Sequence, residues 1–291
     1  MLLQRTLKDL QSRPTLTERL YIVSPLLLAV LKDASELLGL AARRRRKIAR
    51  RMAREVADRN SGPSDTDEQL IIRGGPFKGM DYLRFSAGSL LKAKLSGTYE
   101  NEIGTWFREA IESSLHDVFI DVGCAEGYYA VGMARFSPRA FVYGFDIDPA
   151  AQEMTRRLAH ANQVDNRVAV DAECTPSILQ KLLSNAKTPL MLVDIEGFED
   201  ELLDMAACPA LSKADIIVEL HEHKRPGVTY RLLERFKDTH RTDAIVAVPD
   251  EWKLSEALNI SENAKKGVTI SDVQEGRRLP QMWLRLRSQV R

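Results

Sequence analysis

The chain has 291 residues, enough for one large domain with an extension or for two small domains, and enough to bury a core. Hydrophobic residues make up 44% and charged residues 29%, ordinary for a globular protein, and a net charge of +1 excludes a strong overall bias toward polyanions. Three cysteines, Cys124, Cys174 and Cys208, without C-x-x-C or Cys/His ligand spacing, argue against a disulfide framework and structural zinc and favour a reducing, cytoplasmic setting.

Residues 1–60 read as helical, rich in Leu, Ala and Arg, with Pro14, Pro25 and Gly39 as breakers. They carry 14 Lys/Arg against 6 Asp/Glu, a formal +8, whereas the remainder carries 28 against 35, a formal −7. "ARRRRKIARRMAREVADR" (Ala42–Arg59) reads as a basic helix: either a solvated face, or a surface that docks on an anionic partner such as RNA or a membrane. The apolar run Leu20–Leu31 is about half of the roughly 20 residues a span requires, and Lys32, Asp33 and Glu36 interrupt it, so no transmembrane span is expected. It also lies too far inside for a simple secretory signal. "NSGPSDTDE" is a linker by composition, which sets a basic helical extension (1–60), a linker (61–69) and a folded domain (70–291). "IIRGGPFKGMDYLRF" then reads as a short hairpin around glycines.

From Val118 strands alternate with helices. Strand 118–122 leads into a helix to about Arg135; strand 140–147 is followed by Asp148-Pro149, an N-cap and a first helical residue. Strand 167–170 precedes Thr175-Pro176, the same device. Strands 189–195, 214–221, 243–248 and 281–287 complete a set of seven. Apolar runs separated by capped helices predict an α/β fold, a doubly wound and mostly parallel sheet, with one antiparallel edge strand where the last two strands are joined by a long non-crossover stretch.

Ligands in such sheets bind at the carboxyl ends of the strands. After the first strand comes Asp121-Val-Gly123-Cys124-Ala-Glu126-Gly127-Tyr128, a glycine turn that lacks the second glycine of G-x-G-x-x-G. Its two acids would repel a pyrophosphate and suit a ligand carrying a sulfonium and an ammonium, which points to S-adenosylmethionine (SAM). Asp146 ends the second strand, where a carboxylate can accept both ribose hydroxyls. Glu173, past the third strand, is placed to reach the adenine amino group, or else is a solvated loop acid. Asp194 and Glu196 follow the fourth strand, where a methyl donor faces its acceptor; Glu199 reads as first-turn helix acidity. After the fifth strand, Glu219, His221 and His223 share one face. His221 is a candidate general base or a hydrogen-bonded strand-end histidine. A Glu/Asp/His cluster could ligate a metal, but no metal is assigned.

"FIDVGCAEGYYAVG", "FVYGFDIDP" and "LMLVDIEGFEDELL" resemble motifs of class I SAM-dependent methyltransferases. The "DIEGFE" box with "VELHE" after it is most similar to the FkbM family. The resemblance covers about Tyr99 to Arg287 and implies a seven-stranded Rossmann-like fold, SAM as cofactor, and O-methylation of a sugar or other small-molecule acceptor. It assigns Asp121, Gly123 and Gly127 to the methionine loop, Asp146 to the ribose, and Asp194, Glu196 and Glu199 to the D-x-E-G-x-E box. "GTYENEI" (Gly97–Ile103) resembles a segment that closes over the cofactor. No N-P-P-Y-like box follows the fourth strand, which disfavours N-methylation of adenine or glutamine. Two other readings stand beside it: a methyltransferase-fold binding protein without turnover that works through the basic helix, and an NAD-dependent oxidoreductase, against which the missing glycine argues.

Overall fold

The computed structural model describes residues 70–84, 86, 91–275 and 281–290. The basic helix, the linker and the Leu20–Leu31 run lie outside the described residues. Among the described residues no helix is long and apolar enough to cross a membrane.

The glycine-rich hairpin forms as an antiparallel pair, β1 (Leu70–Ile71) and β2 (Asp81–Tyr82), followed by α1 (Leu91–Ser96) and α2 (Asn101–Ser113). Seven strands then build the main sheet: β3 (Val118–Val122), β4 (Phe141–Phe145), β5 (Val168–Asp171), β6 (Pro189–Val193), β7 (Asp215–Leu220), β8 (His240–Val246) and β9 (Met282–Ser288). Between them run α3 (Tyr128–Phe136), α4 (Pro149–Ala161), α5 (Pro176–Asn185), α6 (Glu199–Leu202), α7 (Val228–Phe236), α8 (Asp250–Leu258), α9 (Ser261–Lys265) and α10 (Ile270–Val273). The sheet order is β5-β4-β3-β6-β7-β9-β8. The seven-stranded, mostly parallel sheet that the methyltransferase resemblance implies is therefore present.

The helix starts are local chemistry. Asp148 accepts a hydrogen bond from Ala150 N at 2.9 Å and Thr175 accepts one from Ile178 N at 3.3 Å, each with proline at the first helical position. Strands β6 and β7 are buried along their whole length, as parallel strands covered on both faces must be. One face packs Phe119, Leu192, Ile217 and Trp283 against α2, α3 and α4. The other packs Ile120, Met191, Val218 and Leu284 against α5 and α7.

The expected antiparallel edge strand needs correcting. β9 is antiparallel but lies inside the sheet, pairing Leu284 with Val218 of β7 on one side and with Ala244 of β8 on the other. Its Trp283, Leu284 and Leu286 are fully buried and require cover on both faces. β8 exposes Arg241, Ala244 and Val246 and tolerates the edge, and it begins earlier than the apolar run 243–248 implied. The order of strands reverses between β3 and β6, so a crevice opens at their carboxyl ends.

Candidate functional site

A cavity of about 850 Å³ lies at this crevice, walled by the ends of β3, β4, β5 and β6, by Tyr99 and Glu100 ahead of α2, and by Trp283 of β9. The turn after β3 is pressed against the end of β6. Gly123 has φ +89°, and a Cβ there would stand 1.9 Å from the Asp194 carbonyl oxygen, so only glycine fits. Gly123 N and Cys124 N both donate to Phe145 O, and Gly127 N donates to Cys124 O, closing the turn into α3. Ala125 is also left-handed, at φ +49°, and its backbone is held from both sides. Its N–H donates to Asp146 Oδ2 at 2.9 Å and its carbonyl accepts from Thr155 Oγ1 at 2.9 Å.

Of the sequence-predicted cofactor residues, Asp121, Gly123, Cys124, Tyr128, Asp146, Glu173 and Asp194 line this cavity, with Glu196 beside them. Glu173 is exposed at the mouth. Asp121 is buried, and that burial, with the Asp194 charge near it, pushes its carboxyl well above the usual range. Asp146 is raised by burial too, against hydrogen bonds from the backbone N–H groups of Asp148 (2.8 Å) and Ala125. Asp121 Oδ2 and Asp194 Oδ1 are buried acceptors without a hydrogen bond; Tyr128 Oη and Trp283 Nε1 are buried donors without one.

Two loop residues fall elsewhere. Gly127 is not on the cavity wall; a Cβ there would stand 2.8 Å from Thr155 Cγ2, so its role is the close approach of the turn to α4. Glu126 is fully buried and off the cavity wall as well. It accepts hydrogen bonds from Tyr82 Oη (2.7 Å) and Ser86 Oγ (2.7 Å) and pairs with Lys94 Nζ. Its charge is thus matched inside the fold rather than offered to a ligand. Lys94, Tyr99, Glu100, Ile147, Phe198 and Trp283 line the cavity and were not anticipated individually. The Gly97–Ile103 segment is the exception in part, since Tyr99 and Glu100 lie within it. Ile147 and Phe198 carry the available signal, being large apolar side chains 72% and 61% exposed beside charged strand ends.

At the far end, His221 is buried behind the cavity wall. Its Nδ1 meets Glu199 Oε1 at 2.7 Å, and the same oxygen accepts Gly197 N–H at 2.8 Å. Glu199 does stand in the first turn of α6, and there it is fully buried and orients the imidazole. On the other ring nitrogen, Nε2, converge Glu196 Oε2 (3.5 Å), Asp194 Oδ1 (3.6 Å) and Glu219 Oε2 (4.0 Å). Glu196 has φ +60°, pairs with Lys224 and is the most exposed of the four. His223 lies in the exposed turn beyond.

No protein-family model matches the chain. Two curated relatives from strains of Porphyromonas gingivalis, both named tRNA1(Val) (adenine(37)-N6)-methyltransferase, are each 28% identical to it, over 122 and 101 residues. These stretches are 42% and 34% of this chain and 48% and 40% of the relatives, so the chain spans about half the length, or less, of the curated relatives it matches. Similar solved structures include the O-methyltransferase TomG from Streptomyces achromogenes in complex with SAM, at 14% identity and TM-score 0.43, covering 62% of this chain and 77% of that one. An O-methyltransferase from Bacillus cereus in complex with SAH is similar at 12% identity and TM-score 0.40, covering 62% of this chain and 78% of that one.

Proposed function

We propose that this chain binds SAM in the cavity and methylates a hydroxyl on a sugar or other small acceptor. The observation that carries the reading is the set of partnerless buried atoms in one cavity: an acceptor on Asp121, donors on Tyr128 and Trp283. Buried polar atoms are nearly always paired, so these call for a ligand that is itself zwitterionic. The α-ammonium and carboxylate of SAM satisfy both kinds. A pyrophosphate would instead meet Asp121, Asp146 and Asp194 at like charge.

In this reading Asp121 faces the ammonium, Asp146 accepts the ribose hydroxyls, and Ile147 and Glu173 border the adenine. Bound there, SAM would supply a methyl carbon already activated by its sulfonium. Asp194 and Glu196 border the acceptor, with His221 behind them. Holding the acceptor oxygen in line contributes up to roughly 7–11 kcal/mol, and a positioned base for its proton about 10²–10⁴-fold. The names of the matched relatives support a second reading, in which the acceptor is a base amine in RNA. The Asp194-Ile-Glu-Gly sequence after β6, in place of an N-P-P-Y-like box, favours the hydroxyl.

The test is calorimetry with SAM and SAH, then transfer from methyl-labelled SAM to a panel of hydroxylated small molecules and to tRNA. Label on a hydroxyl supports the proposal, label on tRNA supports the second reading, and binding without turnover returns the protein to a binding role. Failure to bind either nucleoside overturns all three.

Asp121→Asn tests the ammonium assignment. Asp121 keeps its proton in the fold beyond the pH at which the unfolded chain ionises, so the stability of the ligand-free protein falls as pH rises through that interval. A bound ammonium favours the carboxylate, so binding releases a proton and affinity for SAM rises with pH. The variant is expected to bind SAM about 10–100-fold more weakly, a charged hydrogen bond contributing roughly 1.5–3 kcal/mol, and to lose that pH dependence. A variant with the wild-type affinity and pH profile would place the ammonium elsewhere.

A further inference from the structure

The cluster behind the cavity wall has the composition of a cation site. His221 gives its Nδ1 to Glu199, which leaves Nε2 with a lone pair in the neutral imidazole. Three carboxylates surround that lone pair at 3.5–4.0 Å. These separations exceed hydrogen-bond length. They match what two donors sharing one ion must show: with each donor about 2.0–2.2 Å from a common centre, neighbours stand roughly 3–4 Å apart. One donor atom from each of Asp194, Glu219 and His221 lies within 4.8 Å of the other two. Independently, Asp194 Oδ1, which faces Nε2, is a buried oxygen that accepts no hydrogen bond. An unpaired carboxylate oxygen this close to an imidazole nitrogen and to a second carboxylate is stabilised by positive charge placed among them.

We infer that Asp194, Glu219 and His221 form a binding site for a divalent first-row metal ion. One imidazole nitrogen with two carboxylate oxygens suits Mn²⁺ or Zn²⁺ better than Ca²⁺, which takes oxygen ligands almost alone. Glu199 is the outer carboxylate that fixes the histidine tautomer. Lys224 holds Glu196 at the rim, so Glu196 is not counted among the ligands. Asp194 is the ligand that also lines the cavity; it follows β6, on the opposite side of β3 from β4 and β5, whose ends carry Asp146 and Glu173, so the ion would stand on the acceptor side. Three protein ligands leave coordination positions for acceptor oxygens, and the acceptor would be one that offers a hydroxyl to a metal. That role rests on the methyl-transfer reading; binding of the ion does not.

The test uses the full-length protein, stripped with chelator, and needs no SAM. Mn²⁺ titration followed by the electron paramagnetic resonance of free Mn²⁺ is expected to show one saturable ion per chain, and Mn²⁺ is expected to raise the thermal midpoint of the wild type. Glu219→Gln and His221→Gln should each weaken binding at least tenfold, and Glu199→Gln, which touches no ion, by about 10–100-fold. Calorimetry with SAM on Glu219→Gln, a residue off the cavity wall, is expected to show cofactor affinity within about threefold of wild type. Absence of saturable Mn²⁺ and Zn²⁺ binding by the wild type overturns the site whether or not the variants fold. So does ion affinity undiminished in Glu219→Gln and His221→Gln. Loss of SAM binding by wild type would instead count against the cofactor reading and leave the ion site standing.

Discussion

Replacing Glu126 by Gln is expected to destabilise the fold by about 3–5 kcal/mol, the scale on which breaking a buried ion pair leaves one charge uncompensated. Glu126 and Lys94 are both buried, the first fully. Burial alone would raise the Glu126 carboxyl, but the Lys94 ammonium and the hydrogen bonds from Ser86 and Tyr82 hold it below the ordinary glutamate range. A carboxyl depressed in the fold stabilises it above the unfolded-state value and loses that contribution as pH falls through the folded one. The gap between wild type and Glu126→Gln should therefore be full near neutral pH and narrow in acid, read by urea unfolding at each pH. The double replacement Lys94→Met with Glu126→Leu should recover most of the loss, because it removes both charges together. A cost below about 1 kcal/mol for the single variant would show that the pair does not clamp the fold.

The pair matters for function because of what it joins. Glu126 sits in the turn after β3, while Tyr82, Ser86 and Lys94 belong to the segment from β2 to α1. That segment brings Lys94, and then Tyr99 and Glu100, to the cavity wall. Lys94 Nζ also lies 4.6 Å from the centre of the Tyr99 ring and 5.5 Å from that of Tyr128. Cutting the clamp loosens one wall of the cavity as well as the core beneath it.

What was legible in the sequence was local. Asp148-Pro149 and Thr175-Pro176 mark helix starts because an N-cap acts within three residues of itself. Gly123, Asp146 and Asp194 could be placed because each stands at a strand end, and strand ends in a parallel sheet converge on one crevice. The position of β9 was not legible, since it depends on pairing with strands at a distance in the chain. The partners of Glu126 lie 32, 40 and 44 residues upstream, and those distances carry no periodic signal. Glu199 is helix-start acidity in the structure as in the sequence; its second role, as an internal acceptor, depends on His221, 22 residues later. Charge at a strand end was readable; whether the charge faced a ligand or a buried partner was decided by tertiary contacts.

Asp146→Ala is expected to weaken SAM binding by about 10²–10⁴-fold, from the loss of two charged hydrogen bonds at roughly 1.5–3 kcal/mol each. The effect has two sources that calorimetry alone would merge. Asp146 stands where ribose hydroxyls would be accepted, and its two oxygens also receive Ala125 N–H and Asp148 N–H. The first of those bonds fixes a left-handed alanine within the turn after β3, a conformation that costs of order 1–3 kcal/mol and persists because its surroundings enforce it. A thermodynamic cycle separates the two. SAH and its 2′-deoxy analogue are titrated against wild type and variant, and the loss on removing the hydroxyl is compared. If Asp146 holds the ribose, the wild type penalises the deoxy analogue at least tenfold and Asp146→Ala does not. If its work is confined to the loop, both proteins penalise the analogue equally while the variant binds SAH poorly throughout. Equal penalties would move the ribose contact away from Asp146 and leave it as the residue that shapes the turn between Gly123 and Gly127.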